Sequence, residues 1–251
     1  MSNSNRQSST KQRLDQYLVA EGLVSTRSQA ESYIRMGEVT INGRVITKAG
    51  TLVDETKKIV LNAKEQYVSR AALKLASVAQ TLNLKFGGKT MLDVGSSTGG
   101  FTEYALRHGA KKVFAVEVGK DQLHPSLHGN PQIELHEQTD IRAFTTKEPI
   151  DIVVLDVSFI SLREILPHVA SLCTSTTDIV AMVKPQFEAA TSNVKHKGVI
   201  KNDRMRRDIL KDFETWSLQK FVILDKADSQ VAGTKGNVER FYKLRILRAN
   251  K

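Results

Sequence analysis

Two lysines and two carboxylates of this 251-residue chain stand where an α/β fold would gather them for chemistry. Asp156 closes the run Asp-Ile-Val-Val-Leu-Asp, and Lys184 closes Ile-Val-Ala-Met-Val-Lys, with Pro185 next to stop the strand. Glu239 ends Gly-Thr-Lys-Gly-Asn-Val-Glu, a loop that feeds the last strand. Lys74 lies in Ser-Arg-Ala-Ala-Leu-Lys-Leu, on a helix ahead of the first strand of a regular β/α alternation. Ligands of open α/β sheets sit beyond the carboxyl ends of the strands, so these four side chains can meet there. Such a set suits methylation of a ribose 2′-hydroxyl. That hydroxyl is a poor nucleophile at neutral pH, and a lysine takes its proton only as the neutral amine. Neighbouring carboxylates then orient the lysine. Singly, each residue has a plainer reading: a strand-end acid is often a helix cap, a lysine contacts phosphate, a glutamate pairs with a surface cation. The conjunction of four points to catalysis.

An activated methyl needs a bound donor, and the run Met91-Leu-Asp-Val-Gly-Ser-Ser-Thr-Gly-Gly-Phe101 is suited to hold one. An apolar strand carries Asp93 near its end, Gly95 permits a tight turn, and a helix opens near Gly99. Bare N–H groups and a positive helix end then face the ligand, with the Gly99-Gly100 pair allowing close approach. A second strand ends in Glu117, placed to accept both hydroxyls of a ribose. A dinucleotide loop wants G-x-G-x-x-G, whereas this one reads G-S-S-T-G-G and fails at the second glycine. Asp93 also suits an ammonium better than a pyrophosphate. S-adenosylmethionine has that ammonium, a carboxylate and a ribose, and its sulfonium carries an activated methyl, so no metal is required. The plain alternative is a strand-turn-helix whose glycines only make the turn.

The elements that must position these residues follow from periodicity. Residues 69–80 read as an amphipathic helix with Ala72, Leu75, Ala76 and Ala79 toward the core. Strands are expected near 90–94, 111–117, 132–136, 150–157, 178–184, 219–225 and 240–247, with helices near 99–108, 160–172 and 203–217. That alternation predicts a mostly parallel sheet with helices on both faces. Only a loop joins the last two strands, which suggests an antiparallel strand at the sheet edge. Ahead of this, residues 12–62 form a compact α+β pattern. Leu14, Leu18 and Val19 have helical spacing, as do Ala30, Tyr33 and Ile34; Ser25 or Thr26 can cap the second helix, with Gln29 following. Asn42-Gly43 between β-prone runs signals a hairpin. Residues 63–68 read as a linker, 69–251 as the larger domain, and 1–11 as a polar, disordered tail.

Composition bounds the rest. With 40% hydrophobic and 25% charged residues the chain suits a soluble globular protein. A net charge of +10 favours a polyanionic partner, nucleic acid before membrane. The single cysteine, Cys173, excludes an internal disulfide and a cysteine-cluster zinc site. No apolar run approaches the ~18 residues of a membrane helix, and no signal peptide precedes the first domain, so the expected location is cytoplasmic.

Two resemblances sharpen these expectations. The order R-L-D-x-Y-L, then S-T-R-S-Q-A-x-x-x-I-x-x-G-x-V-x-I-N-G, resembles the alpha-L RNA-binding domain. It implies RNA contacts at Arg13, Arg27, Ser28, Gln29 and Arg35, against the plainer reading of cations solvating a small domain. The whole of 12–248 resembles the TlyA-type family of ribosomal RNA 2′-O-methyltransferases, some of whose members are labelled hemolysins. The matching stretches are V-S-R-A-A-L-K-L, L-D-V-G-S-S-T-G-G-F-T, V-V-L-D-V-S-F-I-S-L, V-K-P-Q-F-E and K-G-N-V-E. This resemblance implies a Rossmann-like S-adenosylmethionine-dependent methyltransferase sheet behind the small N-terminal domain. It transfers the catalytic set of FtsJ-type relatives to Lys74, Asp156, Lys184 and Glu239, with Lys184 as the main lysine. Cofactor contacts are implied at Asp93, Gly95, Ser96, Gly99, Phe101 and Glu117, with Asp140 and Ile141 near adenine. The implied targets are cytidines of ribosomal RNA within ribosomal subunits, and no obligate protein partner is indicated.

The chain departs from the family at Lys195-His-Lys-Gly-Val-Ile-Lys-Asn202, where relatives carry a glycine pair and an arginine, and at Val118-Gly-Lys-Asp-Gln-Leu123 after Glu117. Rival functions fit less well. An amino-group methylase wants an N-P-P-Y-like tetrad where this chain reads Asp156-Val-Ser-Phe159, and a cytosine-C5 enzyme wants a cysteine in the site. A membrane-active hemolysin wants an insertion segment, yet the best amphipathic stretch, Met205 to Trp216, has core-like spacing at Met205, Ile209, Phe213 and Trp216. A non-catalytic RNA-binding assembly factor would not require the intact four-residue set.

Overall fold

The computed structural model describes residues 11–24, 26–63, 67–189, 198–200, 202–231, 233 and 236–247. Residues 1–10 of the expected tail, the alternative cap Ser25, residues 64–66 of the expected linker, and Lys195, His196, Lys197, Lys201, Thr234 and Lys235 lie outside them. The chain divides into two compact units, Met1–Gln66 and Tyr67–Lys251.

In the first unit two helices, α1 (Leu14–Ala20) and α2 (Arg27–Arg35), accompany short strands. Strand β1 (Gln12–Arg13) pairs antiparallel with β4 (Leu52–Val53), while β3 (Arg44–Val45), β2 (Val39–Ile41) and β5 (Ile59–Leu61) form a second sheet in that order. The hairpin turn uses Asn42 and Gly43, both at positive φ (50° and 79°), the geometry that matches the strand twist. Thr26 caps α2: its hydroxyl accepts from the Gln29 amide, and the Gln29 side chain accepts from the Thr26 amide. Leu14, Leu18, Ala30, Ile34, Val39 and Val53 are fully buried and make the core of this unit.

The second unit is a seven-stranded sheet. Its strands are β6 (Thr90–Val94), β7 (Lys112–Val116), β8 (Ile133–His136), β9 (Ile152–Leu155), β10 (Asp178–Val183), β11 (Phe221–Asp228) and β12 (Arg240–Ile246), in the order β11-β12-β10-β9-β6-β7-β8. Helices α3 (Arg70–Ala79), α4 (Gly100–Arg107), α5 (Leu162–Ser171), α6 (Pro185–Glu188) and α7 (Asp203–Ser217) accompany it. The expected α/β architecture is therefore present, with one correction. The antiparallel strand is β12, one place in from the edge, between β10 and β11. Its Phe241, Tyr242 and Leu244 are fully buried, whereas β11 is largely exposed. Burial of each such side chain stabilises by about 1.5–3 kcal/mol, which favours the inner position for β12, while β11 leaves Val222 and Leu224 partly open to solvent.

Helix α3 buries Ala72, Leu75 and Ala79 as expected, but also Leu73, Val78 and Lys74, while Ala76 is only half-buried. Helix α7 turns Ile209, Leu210 and Phe213 into the core, with Met205 and Trp216 partly buried against it, so its amphipathic pattern is spent within the domain. Among the described residues no helix is long and apolar enough to cross a membrane.

Candidate active site

The sheet register aligns the strand ends. Val94 lies opposite Val116 and Leu155, and Val183 lies opposite Arg240 at the start of the antiparallel β12. Gly95, Glu117, Asp156, Lys184 and Glu239 each follow or precede the last paired residue of their strand, so all five emerge at one end of the sheet. The strand order reverses between β6 and β9, which opens the crevice where ligands of such sheets bind.

Side-chain alternation in β6 sends Leu92 and Val94 into one face of the core and Asp93 to the other. There Thr102 Oγ1 of α4 donates to Asp93 Oδ2 at 2.7 Å. Asp93 is 1% exposed, and burial pushes its carboxyl up to about 7. The Thr102 hydroxyl works against that rise, while the Asp156 and Glu117 charges add to it. Its other oxygen, Oδ1, is buried and has no partner among the described residues, and the same holds for Ser96 Oγ. Both residues line a cavity of about 280 Å³ together with Lys74, Phe101, Ser158 and Lys184. Phe101 is itself buried and packs on Phe241 at 6.1 Å between ring centroids.

A second cavity, of about 420 Å³, shares Gly95, Ser97, Asp156 and Ser158 with the first. Glu117, Asp140 and Ile141 are in its wall. The Glu117 carboxylate accepts from Ser97 N at 2.9 Å, Gly119 N at 2.8 Å and, at the longer distance of 3.5 Å, Gln122 Nε2, which leaves at least one of its roughly four acceptor positions open. Asp140 caps a short 3-10 turn by accepting from Arg142 N, and the Arg142 guanidinium at 2.6 Å holds its carboxyl at about 2. Its charge is thus committed to Arg142, and Ile141 supplies the apolar wall.

The glycines answer to the chain's own packing as much as to a ligand. Gly95 has φ +79°, and a Cβ there would stand 2.8 Å from the Asp156 carbonyl oxygen. The loop after β6 thus lies directly on the loop after β9. Gly100 was expected to let a ligand approach. A Cβ at Gly100 would instead meet Ser69 Oγ at 2.2 Å and Ala72 N at 2.9 Å, so this residue makes room for the start of α3. Gly99 begins α4 in the left-handed region.

The four expected catalytic residues come together as two ion pairs. Lys184 Nζ lies 2.5 Å from Asp156 Oδ1 and donates to Ser158 Oγ at 2.8 Å. Lys74 Nζ donates to Glu239 Oε1 at 3.0 Å, both side chains being buried, and Glu239 Oε2 has no partner among the described residues. Both lysines line the smaller cavity.

Three residues escaped the reading of the sequence. Ser158 touches Lys184 and lines both cavities. Phe159 is 92% exposed at φ +69° and packs against Phe187, 5.3 Å between centroids. Glu188 is buried, its carboxyl raised by burial, and accepts from Ser161 Oγ (2.6 Å) and Leu162 N (2.7 Å), which ties the turn after Lys184 to the loop after Asp156. The stretches V-S-F and K-P-Q-F-E carried all three, but no spacing rule distinguishes them from ordinary loop residues.

In the first unit, Arg13 and Arg27 converge on the buried Asp15, with contacts of 2.8–3.0 Å. Burial opposes the charged form of Asp15, yet the two guanidiniums outweigh it and hold the carboxyl below its ordinary range. Ser28 and Arg35 are exposed, whereas Gln29 is buried in the capping box.

Comparison with known proteins gives this geometry a context. The FtsJ-like methyltransferase model matches residues 67–245, and the S4 domain model matches residues 12–59. The 16S/23S rRNA (cytidine-2′-O)-methyltransferase TlyA of Mycobacterium tuberculosis is 36% identical over 239 residues, covering 93% of this chain and 89% of that protein. The 23S rRNA (cytidine-2′-O)-methyltransferase TlyA of Campylobacter jejuni is 35% identical over 247 residues, covering 90% and 96%. A hemolysin-named structure from Streptococcus thermophilus has a TM-score of 0.70 and 32% identity, covering 95% of this chain and 90% of its own.

Proposed function

The chain belongs to the FtsJ-like methyltransferase family, with an S4 domain ahead of the enzyme fold, and from that premise we propose that it methylates a ribose 2′-hydroxyl, that of a cytidine in ribosomal RNA, with S-adenosylmethionine as donor. The observation that carries this reading is the pairing of Lys184 with Asp156 in the wall of a cavity that also holds Lys74, Asp93 and Ser96.

The residues present fit the donor. Asp93 Oδ1, buried and without a partner among the described residues, is matched to an ammonium group. Glu117 keeps acceptor capacity for ribose hydroxyls, and Ile141 offers an apolar wall for adenine, with the Asp140 backbone beside it. Gly95, Gly99 and Phe101 shape the loop and the helix start around that space. When bound, the sulfonium supplies an activated methyl that needs no metal.

The work of this chain's own groups is then positional and basic. Lys184, as the neutral amine, accepts the 2′-hydroxyl proton, and Asp156 holds the amine in place. Lys74 and Glu239 present a second charge pair at the edge of the same space, where Glu239 Oε2 can receive a hydroxyl. Much of the rate advantage comes from holding the reacting atoms in line. Arg13, Arg27, Ser28 and Arg35 of the S4 domain are the proposed RNA contacts, Gln29 acting through the cap that sets the first turn of α2. The Phe159 ring offers a flat apolar surface of the kind on which bases stack.

Radiolabelled methyl transfer to separated ribosomal subunits, followed by alkaline hydrolysis, tests the reading. A 2′-O-methyl group blocks cleavage at its own phosphodiester, so the label belongs in a hydrolysis-resistant dinucleotide. Label released as a mononucleotide places the methyl on a base and overturns it.

A further inference from the structure

A neutral amine has two N–H bonds and one lone pair, and its use as a base depends on where that lone pair points. Lys184 has two acceptors within hydrogen-bond distance: Asp156 Oδ1 at 2.5 Å and Ser158 Oγ at 2.8 Å. With Asp156 alone, the amine could turn about its Cε–Nζ bond and present either a proton or the lone pair to the cavity. With a second acceptor both N–H bonds are spoken for. The lone pair is then left for the remaining tetrahedral direction, on a side chain that is buried and lines the cavity.

Ser158 is held for this task. The loop that carries it leaves β9 at Asp156 and enters α5 at Leu162, and it is pinned to the turn after Lys184 twice more. Ser161 Oγ and Leu162 N both donate to Glu188, and the Phe159 ring packs on Phe187. Ser158 itself is exposed, and among the described residues its side chain makes no hydrogen bond other than that from Lys184, so its hydroxyl contributes little to the stability of the domain.

We propose that Ser158 is a positioning residue: its hydroxyl oxygen takes the second N–H of Lys184 and so turns the amine lone pair toward the ribose hydroxyl. The inference rests on the ribose-methylation reading above. In the step it serves, the 2′-O–H bond breaks and its proton passes to Lys184 Nζ while the oxygen bonds to the methyl carbon. The electron pair of the broken S–C bond stays on sulfur, and the ammonium of Lys184 afterwards releases its proton to solvent.

The test compares wild type, Ser158→Ala and Ser158→Thr in single-turnover methylation of the ribosomal subunit that wild type labels, alongside equilibrium binding of S-adenosylmethionine and of that subunit. The expected result for Ser158→Ala is a methyl-transfer rate lower by roughly 10- to 100-fold, the scale of a misaimed reacting group. Both dissociation constants stay within about twofold of wild type, and threonine, which keeps the hydroxyl, restores most of the rate. An unchanged rate in Ser158→Ala overturns the proposal, as does threonine as slow as alanine. Weaker cofactor binding at an unchanged rate also overturns it, by making Ser158 a cofactor contact. If wild type itself leaves no hydrolysis-resistant label, the methylation reading falls and takes this inference with it; an active wild type with an indifferent Ser158→Ala removes the inference alone.

Discussion

Lys74 and Glu239 are 165 residues apart in the chain, yet their side chains meet at 3.0 Å with both ends buried. An ion pair in that setting offers little net stability over an apolar pair, but removing one partner strands a charge. Glu239→Ala is therefore expected to lower unfolding stability by about 3–5 kcal/mol in urea titrations. The double change Lys74→Met with Glu239→Leu should recover most of that loss while methyl transfer stays low. Recovery of activity along with stability would reduce the pair to a structural role.

Asp93 makes stability and cofactor binding respond to pH in opposite senses. Its carboxyl titrates near 7 in the fold and near 4 in an unfolded chain, so the native state binds the extra proton between those values. The contribution of Asp93 to stability is thus greatest below about pH 4 and falls as pH rises to about 7, where it levels off. An ammonium ligand prefers the ionised carboxylate, so affinity for S-adenosylmethionine should rise across the same interval. Asp93→Asn should flatten both profiles and weaken binding; calorimetry at a series of pH values reads both. A cofactor affinity that still climbs in Asp93→Asn would move the ammonium contact elsewhere.

Lys184→Ala is expected to cut the methyl-transfer rate by roughly 100- to 10,000-fold, the usual worth of a general base, while RNA affinity holds. Lys184→Arg should fare no better, because a guanidinium has no lone pair to offer at any working pH. Survival of activity in either variant would place the base at another residue.

Arg27 and Arg35 should separate when each is replaced by glutamine. Arg35 is exposed, so its loss should weaken RNA binding and lower the slope of affinity against salt by about one charge, with no change in melting temperature. Arg27 also pairs with the buried Asp15 at 2.8 Å, so its loss should cost stability as well as affinity. Filter binding across a salt series, with thermal melts, distinguishes them. RNA affinity untouched by both changes would put the RNA surface outside α2.

Much was legible in advance because periodicity and punctuation are local. The alternation of apolar strands with amphipathic segments announced a mostly parallel sheet. Asn42-Gly43 announced its hairpin, and Pro185 the end of β10. The antiparallel strand was misplaced by one position, since a loop between β11 and β12 says that they pair but not which of them lies inside. That was settled by Phe241, Tyr242 and Leu244, whose burial needs cover from both neighbours. Lys74 was legible as a candidate but not as a buried one: it sits on the face of α3 that burial claims, and only the arrival of Glu239 makes that tolerable.

By itself the sequence determined the residue types and the strand ends that carry them: an acid inside β6, a glycine turn after it, and charged residues directly after β7, β9 and β10. These are consequences of chain order and short-range chemistry. Tertiary structure alone decided the partnerships. Register set Lys184 against Asp156 and Ser158, close packing spent Gly100 on α3 rather than on a ligand, and burial carried the Asp93 carboxyl to about 7. Such distances and dielectric surroundings arise only when segments far apart in the chain are brought within a few ångströms, a relation that no local pattern encodes.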